Sequence, residues 1–105
     1  MEAIILTKSK RKDKKYTALV NGKKISFGQY LADDYTTHKN LDRLLSYVKR
    51  HYKREKDLWK TDVKSNLESP SFWSRYLLWN EKAKTIPDAI KWIEKTMDVE
   101  IINNI

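Results

Sequence analysis

Apolar and polar residues alternate with a period of two near the start of the chain and with a helical period further on. Ala3 to Thr7, built on Ile4-Ile5-Leu6, reads as a strand. Tyr16–Val20 and Lys24–Phe27 read as two more. They are joined by Asn21-Gly22, the pair that best tolerates the two positive φ angles of a type I′ turn. Tyr16, Ala18 and Val20 share one face of their strand, and Thr17 and Leu19 the other. Residues 1–36 are thus expected to be β-rich, a small antiparallel sheet with a hairpin extended to a three-stranded meander.

Beyond a connecting loop from Gly28 to Thr36, the period changes. Leu41, Leu44, Leu45, Val48 and Tyr52 fall within about 60° of one direction at 100° per residue, which predicts a helix over roughly Lys39–Lys56. Thr36 or Thr37 is its expected N-cap. Trp59–Glu68 is polar with scattered apolar residues and reads as irregular. Pro70 suits the first turn of a second helix, Ser71 to about Trp79, with Ser69 as cap. A third starts at Thr85, with Asp88 placed for a capping box and Pro87 in the first turn. Ile86, Ala89, Ile90 and Ile93 form its apolar stripe. In the tail, Val99 and Ile101 alternate, which suits an edge strand. The expected architecture is a single α+β domain over residues 1–105: a small N-terminal antiparallel sheet packed with about three α-helices (37–96), then a tail or edge strand (97–105).

Phe72, Trp73, Tyr76 and Trp79 crowd into one short stretch. Apolar residues surround most of that helix, and only Arg75 is basic within it. A helix apolar nearly all round is normally buried, whereas base-stacking surfaces set aromatics among basic residues on a sheet or groove. Core is therefore preferred to an oligomer interface, and an interface to base stacking. Phe72, Trp73, Tyr76, Leu77 and Trp79 are expected to form much of the core with Leu41, Leu44, Leu45, Val48 and Ile90.

The 105 residues suffice for one domain. The chain has no cysteine, so disulfides and thiolate metal sites are excluded and packing must carry stability. The opening residues lack the order of a secretory signal. No run approaches the about 20 apolar residues that span a bilayer. No membrane partner is expected, and a location inside the cell or a particle made there is. The net charge of +8 is unevenly spread: residues 1–56 carry 15 Lys/Arg against 6 Asp/Glu, and residues 57–105 carry 7 against 8. This asymmetry points to a polyanion, although a basic solvated surface has the same composition.

The basic residues of the predicted first helix form a row. Lys39, Arg43, Arg50 and Arg54 lie within about 60° of one another, opposite the apolar face, with Lys53 at the edge. Solvated helix faces usually mix signs, and this row contains no acid. Backbone contacts with nucleic acid are the expected use, positioning without reading sequence. The lysine-rich segment Lys8–Lys15 and the turn lysines Lys23 and Lys24 are candidates to extend the surface.

Signs of catalysis are weak. His38 and His51 have no partners at zinc-ligand spacing, and no glycine-rich phosphate loop exists. Asp33-Asp34 with Glu55 could hold Mg²⁺ in a nuclease, but a loop or cap pair is the stronger reading. Pro87-Asp88 with Glu94 and Lys95 is superficially similar to a nuclease signature, yet sits on one predicted helix. No enzyme activity and no cofactor or metal are expected.

Three segments together carry a resemblance: DYTTHKN at 34–40, YVKRHYKRE at 47–55, and SPSFWSRYLLWN at 69–80 followed by the Thr85 helix. In order and spacing, over roughly residues 15–96, they resemble an uncharacterised family of small basic proteins of nucleocytoplasmic large DNA viruses, the giant viruses. The likeness is greatest to marseillevirus-type members. This chain departs from the pattern in its lysine-rich beginning, around Trp59–Asn66, and after Thr96. The resemblance implies a viral, virion-associated protein, present in host cytoplasm or nucleus during infection. It supplies no activity and no catalytic residue.

The leading expectation is non-specific binding of DNA, preferred to RNA, through Lys39, Arg43, Arg50, Lys53 and Arg54, in a role such as genome packaging. The alternative is a structural protein of the particle, a homodimer through the C-terminal strand or an exposed part of the tryptophan helix, without direct nucleic-acid binding.

Overall fold

A computed structural model describes residues 2–30, 32–61 and 64–105. Residue 31, in the expected connecting loop, and residues 62 and 63, in the stretch expected to be irregular, lie outside the described residues. Strands β1 (Glu2–Lys8), β2 (Lys14–Val20) and β3 (Lys23–Gln29) form the expected antiparallel meander. At its tip, Asn21 and Gly22 have φ of 50° and 77°, as a type I′ turn requires. The C-terminal strand β4 (Val99–Asn104) lies parallel to β1 and completes a sheet of order β3-β2-β1-β4. The register puts Ile4, Leu6, Ala18, Val20, Phe27, Val99 and Ile101 on one face, all of them buried. The aromatic stretch and the C-terminal helix pack against the sheet. β4 is the edge strand foreseen for the tail, and Ile101 N–H donates to Glu94 Oε2 at 2.9 Å, which occupies part of its backbone.

The helical part is more broken than its periodicity indicates. α1 (Tyr35–His38) is a single turn capped by Asp34, whose side chain accepts from Thr36 N while Thr37 Oγ1 accepts from Asp34 N–H. Lys39 then takes a left-handed φ of 54°, and α2 (Leu41–Glu55) restarts with Asn40 Oδ1 accepting from Arg43 N. The caps are therefore Asp34 and Asn40, not Thr36 or Thr37. A carboxylate and an amide outcompete the neighbouring hydroxyls for the free N–H groups.

A 3₁₀ turn (Lys64–Glu68) follows where no regular structure is expected, with Leu67 buried. The aromatic stretch divides into α3 (Pro70–Trp73) and a π-helical turn over Ser74–Leu78, in which Trp79 N–H reaches back to Ser74 O. Ser69 occupies the cap position of α3 without a side-chain hydrogen bond. α4 (Ile86–Met97) starts at the expected Thr85 cap, Thr85 Oγ1 accepting from Asp88 N–H at 3.3 Å, but the Asp88 side chain does not return a bond to Thr85 N–H, so the capping box is only half made.

The core forms where the aromatic stretch meets the sheet. Phe72, Trp73, Leu77 and Leu78 are buried beneath Phe27, Ile4 and Leu6, with Ile90 and Ile93 of α4 closing the layer. Trp73 lies over Phe27 at 5.9 Å and donates its indole N–H to Leu67 O at 2.7 Å, so its polar atom is satisfied inside. Tyr76 and Trp79 are only partly buried.

The expected core face of α2 is the main correction. Leu44 is buried and Val48 half-buried, but Leu41 and Leu45 are 53% and 52% exposed and Tyr52 is 54% exposed. The helix presents Leu44, Tyr47 and His51 to the body instead, a rotation of about 80° from the apolar stripe.

Candidate nucleic-acid interface

The rotation of α2 has an aromatic cause. Tyr47 stacks face to face on Trp79, with centroids 4.4 Å apart and planes 1° from parallel. His51 covers the other face of Tyr47 at 4.3 Å, and His38 lies at 5.3 Å from Trp79. Tyr35 continues the series beside His38 at 6.1 Å. The five rings His51, Tyr47, Trp79, His38 and Tyr35 tie α1 and α2 to the aromatic stretch. Burying rings of about 150–250 Å² each outweighs burying the branched tips of Leu41 and Leu45. The π-helical turn brings Trp79 round to meet Tyr47 while Trp73 faces the sheet.

This docking moves the arginine row from a free outer surface to the wall of a groove. Arg43, Ser46, Arg50 and Arg54 line one side, Lys14, Lys15, Gly28 and Gln29 the other, and Tyr47, Leu78 and Trp79 the floor, around about 990 Å³. Gly28 permits the close approach of β3 to the floor. Its φ is +78°, and a Cβ there would stand 2.9 Å from Leu78 Cδ1.

The charge in the groove is partly compensated. Lys15 Nζ lies 2.7 Å from Asp34 Oδ2, both largely buried. Arg43 is 3.9 Å from Asp33, an exposed pair of little strength. Arg50, Arg54 and Lys14 have no acidic partner within ion-pair distance among the described residues. Lys14 and Lys15 also line a second concavity of about 780 Å³ with Lys8, Lys10, Arg11 and Lys12. The lysine-rich loop is therefore continuous with the groove.

Of the five residues named from the sequence, the structure brings Arg43, Arg50 and Arg54 together in the groove. Lys39 and Lys53 do not line it: Lys39 Nζ folds back onto Thr36 O at 3.0 Å, and Lys53 points away, exposed, from the far side of α2. Lys23 is paired with Glu68 at 2.6 Å, and Lys24 borders a cavity on the opposite face of the sheet. Lys14 and Lys15, from the Lys8–Lys15 segment named as a candidate extension, do line the groove; Asn40 does too and was not foreseen. β2 begins two residues earlier than its apolar alternation shows, and that places the two lysines on the wall.

The remaining polar residues are structural. Arg75, the base inside the aromatic stretch, is 7% exposed, lies over Trp59 and Tyr76 at 5.5 and 5.0 Å, and donates to Trp79 O. Asp34 is held by Lys15 and by its capping bonds. His51 Nδ1 lies 3.4 Å from a Glu55 carboxylate oxygen. His38 Nδ1 accepts from Asn40 N–H at 2.9 Å, which leaves the proton on Nε2, buried without a partner. Burial, helped by the charge of Arg43, pushes the His38 pKa below the usual imidazole value. Among the described residues no three of His, Asp or Glu converge as a metal site would need, so Asp33, Asp34 and Glu55 do not come together.

A family model described as a family of unknown function (DUF5754) matches residues 4–51, just under half of the chain. The match runs from β1 into α2 and takes in both groove lysines, Gly28, Arg43 and Arg50. No curated protein and no solved structure matches the chain. The likeness thus covers the hairpin wall and most of the helical wall of the groove, and it carries no activity with it.

Proposed function

We propose that this protein binds nucleic acid non-specifically, DNA in the first instance, along the groove between α2 and the β2–β3 hairpin. The observation that carries the reading is the convergence of Lys14, Arg43, Arg50 and Arg54 from two separate elements onto one concave surface, with Arg50 and Arg54 free of acidic partners among the described residues. Arg43 to Arg54 spans about 16 Å at 1.5 Å per residue, the reach of several phosphates at about 3.4 Å of rise each along one strand. Guanidinium groups suit the task because their planar fork meets phosphate oxygens in pairs. The lysines of the β1–β2 loop lengthen the track. The floor rings have their faces taken by one another, so the contact is with the backbone rather than with stacked bases. In the viral setting that the sequence resemblance implies, the ligand is the genome and the task its packaging; Lys39 and Lys53 are peripheral to it.

A fluorescence-anisotropy titration of a labelled DNA at two salt concentrations tests this. Affinity is expected to fall steeply as salt rises, because each neutralised phosphate releases counterions. Replacing Arg43, Arg50 and Arg54 by alanine is expected to abolish most of the binding. Binding indifferent to salt, or unchanged in that triple variant, would overturn the proposal.

A further inference from the structure

The rotation of α2 leaves an apolar ridge on its outer side. Leu41, Leu45 and Tyr52 lie within about 40° of one another, each more than half exposed, and Leu58 just past the helix is 42% exposed. Such a ridge offers on the order of 400 Å², the size of the largest apolar patch on many monomers and often a binding surface. It lies opposite the arginine row.

The charges beside the ridge identify what fits it. Asp42, Lys49 and Lys53 form a single row along one flank, at about 100°, 80° and 120° when Leu41 is set at zero. All three are exposed, none has an ion-pair partner among the described residues, and Asp42 also borders the groove near the start of α2. When two copies of α2 lie antiparallel about a two-fold axis, each flank meets its own reverse. With the axis near Val48–Lys49, Leu45 packs against Tyr52 of the second copy. Asp42 then stands about 3 Å along the axis from Lys53 of that copy, within reach of its long side chain, and the pairing occurs twice. Lys49 meets its own copy near the axis, a repulsion that two flexible side chains can splay to relieve.

We infer that α2 is a homodimerisation surface, an antiparallel helix pair joined by Leu41, Leu45 and Tyr52 and registered by two Asp42–Lys53 ion pairs. This differs from the C-terminal strand and the tryptophan helix, the surfaces the sequence suggested: Glu94 occupies part of the first, and the core buries most of the second. The patch is about half of what each partner gives to a standard interface, so the dimer belongs to the weak, transient class.

Sedimentation equilibrium of the full chain, without nucleic acid and over a concentration series reaching several hundred micromolar, tests the inference. A monomer–dimer equilibrium is expected, with Leu45→Glu remaining monomeric while keeping the native circular dichroism spectrum. Asp42→Lys and Lys53→Asp, each alone, are expected to weaken dimerisation at least fivefold, and the two together to restore it. A monomer throughout the series would overturn the inference. So would a dimer insensitive to Leu45→Glu, or a charge-reversed double variant no tighter than either single one. None of these readouts depends on nucleic-acid binding.

Discussion

Gly28 allows the packing of β3 on the groove floor to be measured. Replacing it with alanine adds two costs that can be separated. The first is conformational: at φ +78° an L-residue is strained by about 1–2 kcal/mol. The second is steric. The new Cβ would sit 2.9 Å from Leu78 Cδ1 and 3.3 Å from Lys15 Cβ. Leu78 is 2% exposed and cannot swing aside, so overpacking adds about 1–3 kcal/mol. The stiffer unfolded chain returns about 0.4–1 kcal/mol. The net loss is about 2–4 kcal/mol, a large share of the stability of a small domain. Gly22 is the internal control: its φ is +77° and nothing lies within 4 Å of its Cβ position, so Gly22→Ala should cost only about 1 kcal/mol. Urea denaturation followed by tryptophan fluorescence gives both values. In a Leu78→Ala background the closest clash is gone and only the 3.3 Å approach to Lys15 Cβ remains, so most of the difference between Gly28→Ala and Gly22→Ala should disappear. Equal costs for the two glycines in the otherwise unaltered protein would refute the close approach as the reason for glycine at 28.

The Lys15–Asp34 pair is buried, so Lys15→Ala should destabilise by about 3 kcal/mol by stranding a carboxylate, whereas Arg11→Ala, which removes an exposed pair, should change the denaturation midpoint hardly at all. Because the folded chain holds His38 below its ordinary value of about 6.5, the unfolded chain takes up a proton first as pH falls; stability should drop from about pH 6.5 downwards and level off below the folded value. His38→Phe should flatten the pH dependence of the midpoint between pH 7 and 5.5, and an unchanged slope would count against burial of that ring. Thr85→Ala should cost about 1 kcal/mol through the lost cap of α4, while Ser69→Ala should cost less than about 0.5, since Ser69 makes no capping bond.

What could be read in the chain was what neighbouring residues decide. Alternation located β1 to β3, Asn21-Gly22 fixed their turn, and Thr85 with Pro87 set the start of α4. The rotation of α2 could not be read, because it depends on Tyr47 meeting Trp79, residues 32 positions apart in the chain. A helical projection counts Tyr47 and His51 as marginal and Leu41 and Leu45 as core, yet ring stacking decides the orientation. The break at Lys39 was hidden for a different reason: left-handed backbone usually signals itself by glycine or asparagine, and here a lysine adopts it. The candidate site was therefore half legible. Periodicity gathered Arg43, Arg50 and Arg54 into one row, but only the tertiary fold gives that row an opposite wall and removes Lys39 and Lys53 from it.

The measurement that bears most directly on the groove is the salt dependence of DNA affinity in two variants that lose equal charge. One carries Arg50→Ala and Arg54→Ala, in the groove; the other carries Lys91→Ala and Lys95→Ala, exposed on α4. If the groove is the interface, the plot of log affinity against log salt should lose about two units of slope in the first variant, about 0.9 per phosphate contact, and none in the second. Equal losses in the two variants would mean that net charge alone attracts the DNA and that the groove has no special part in holding it.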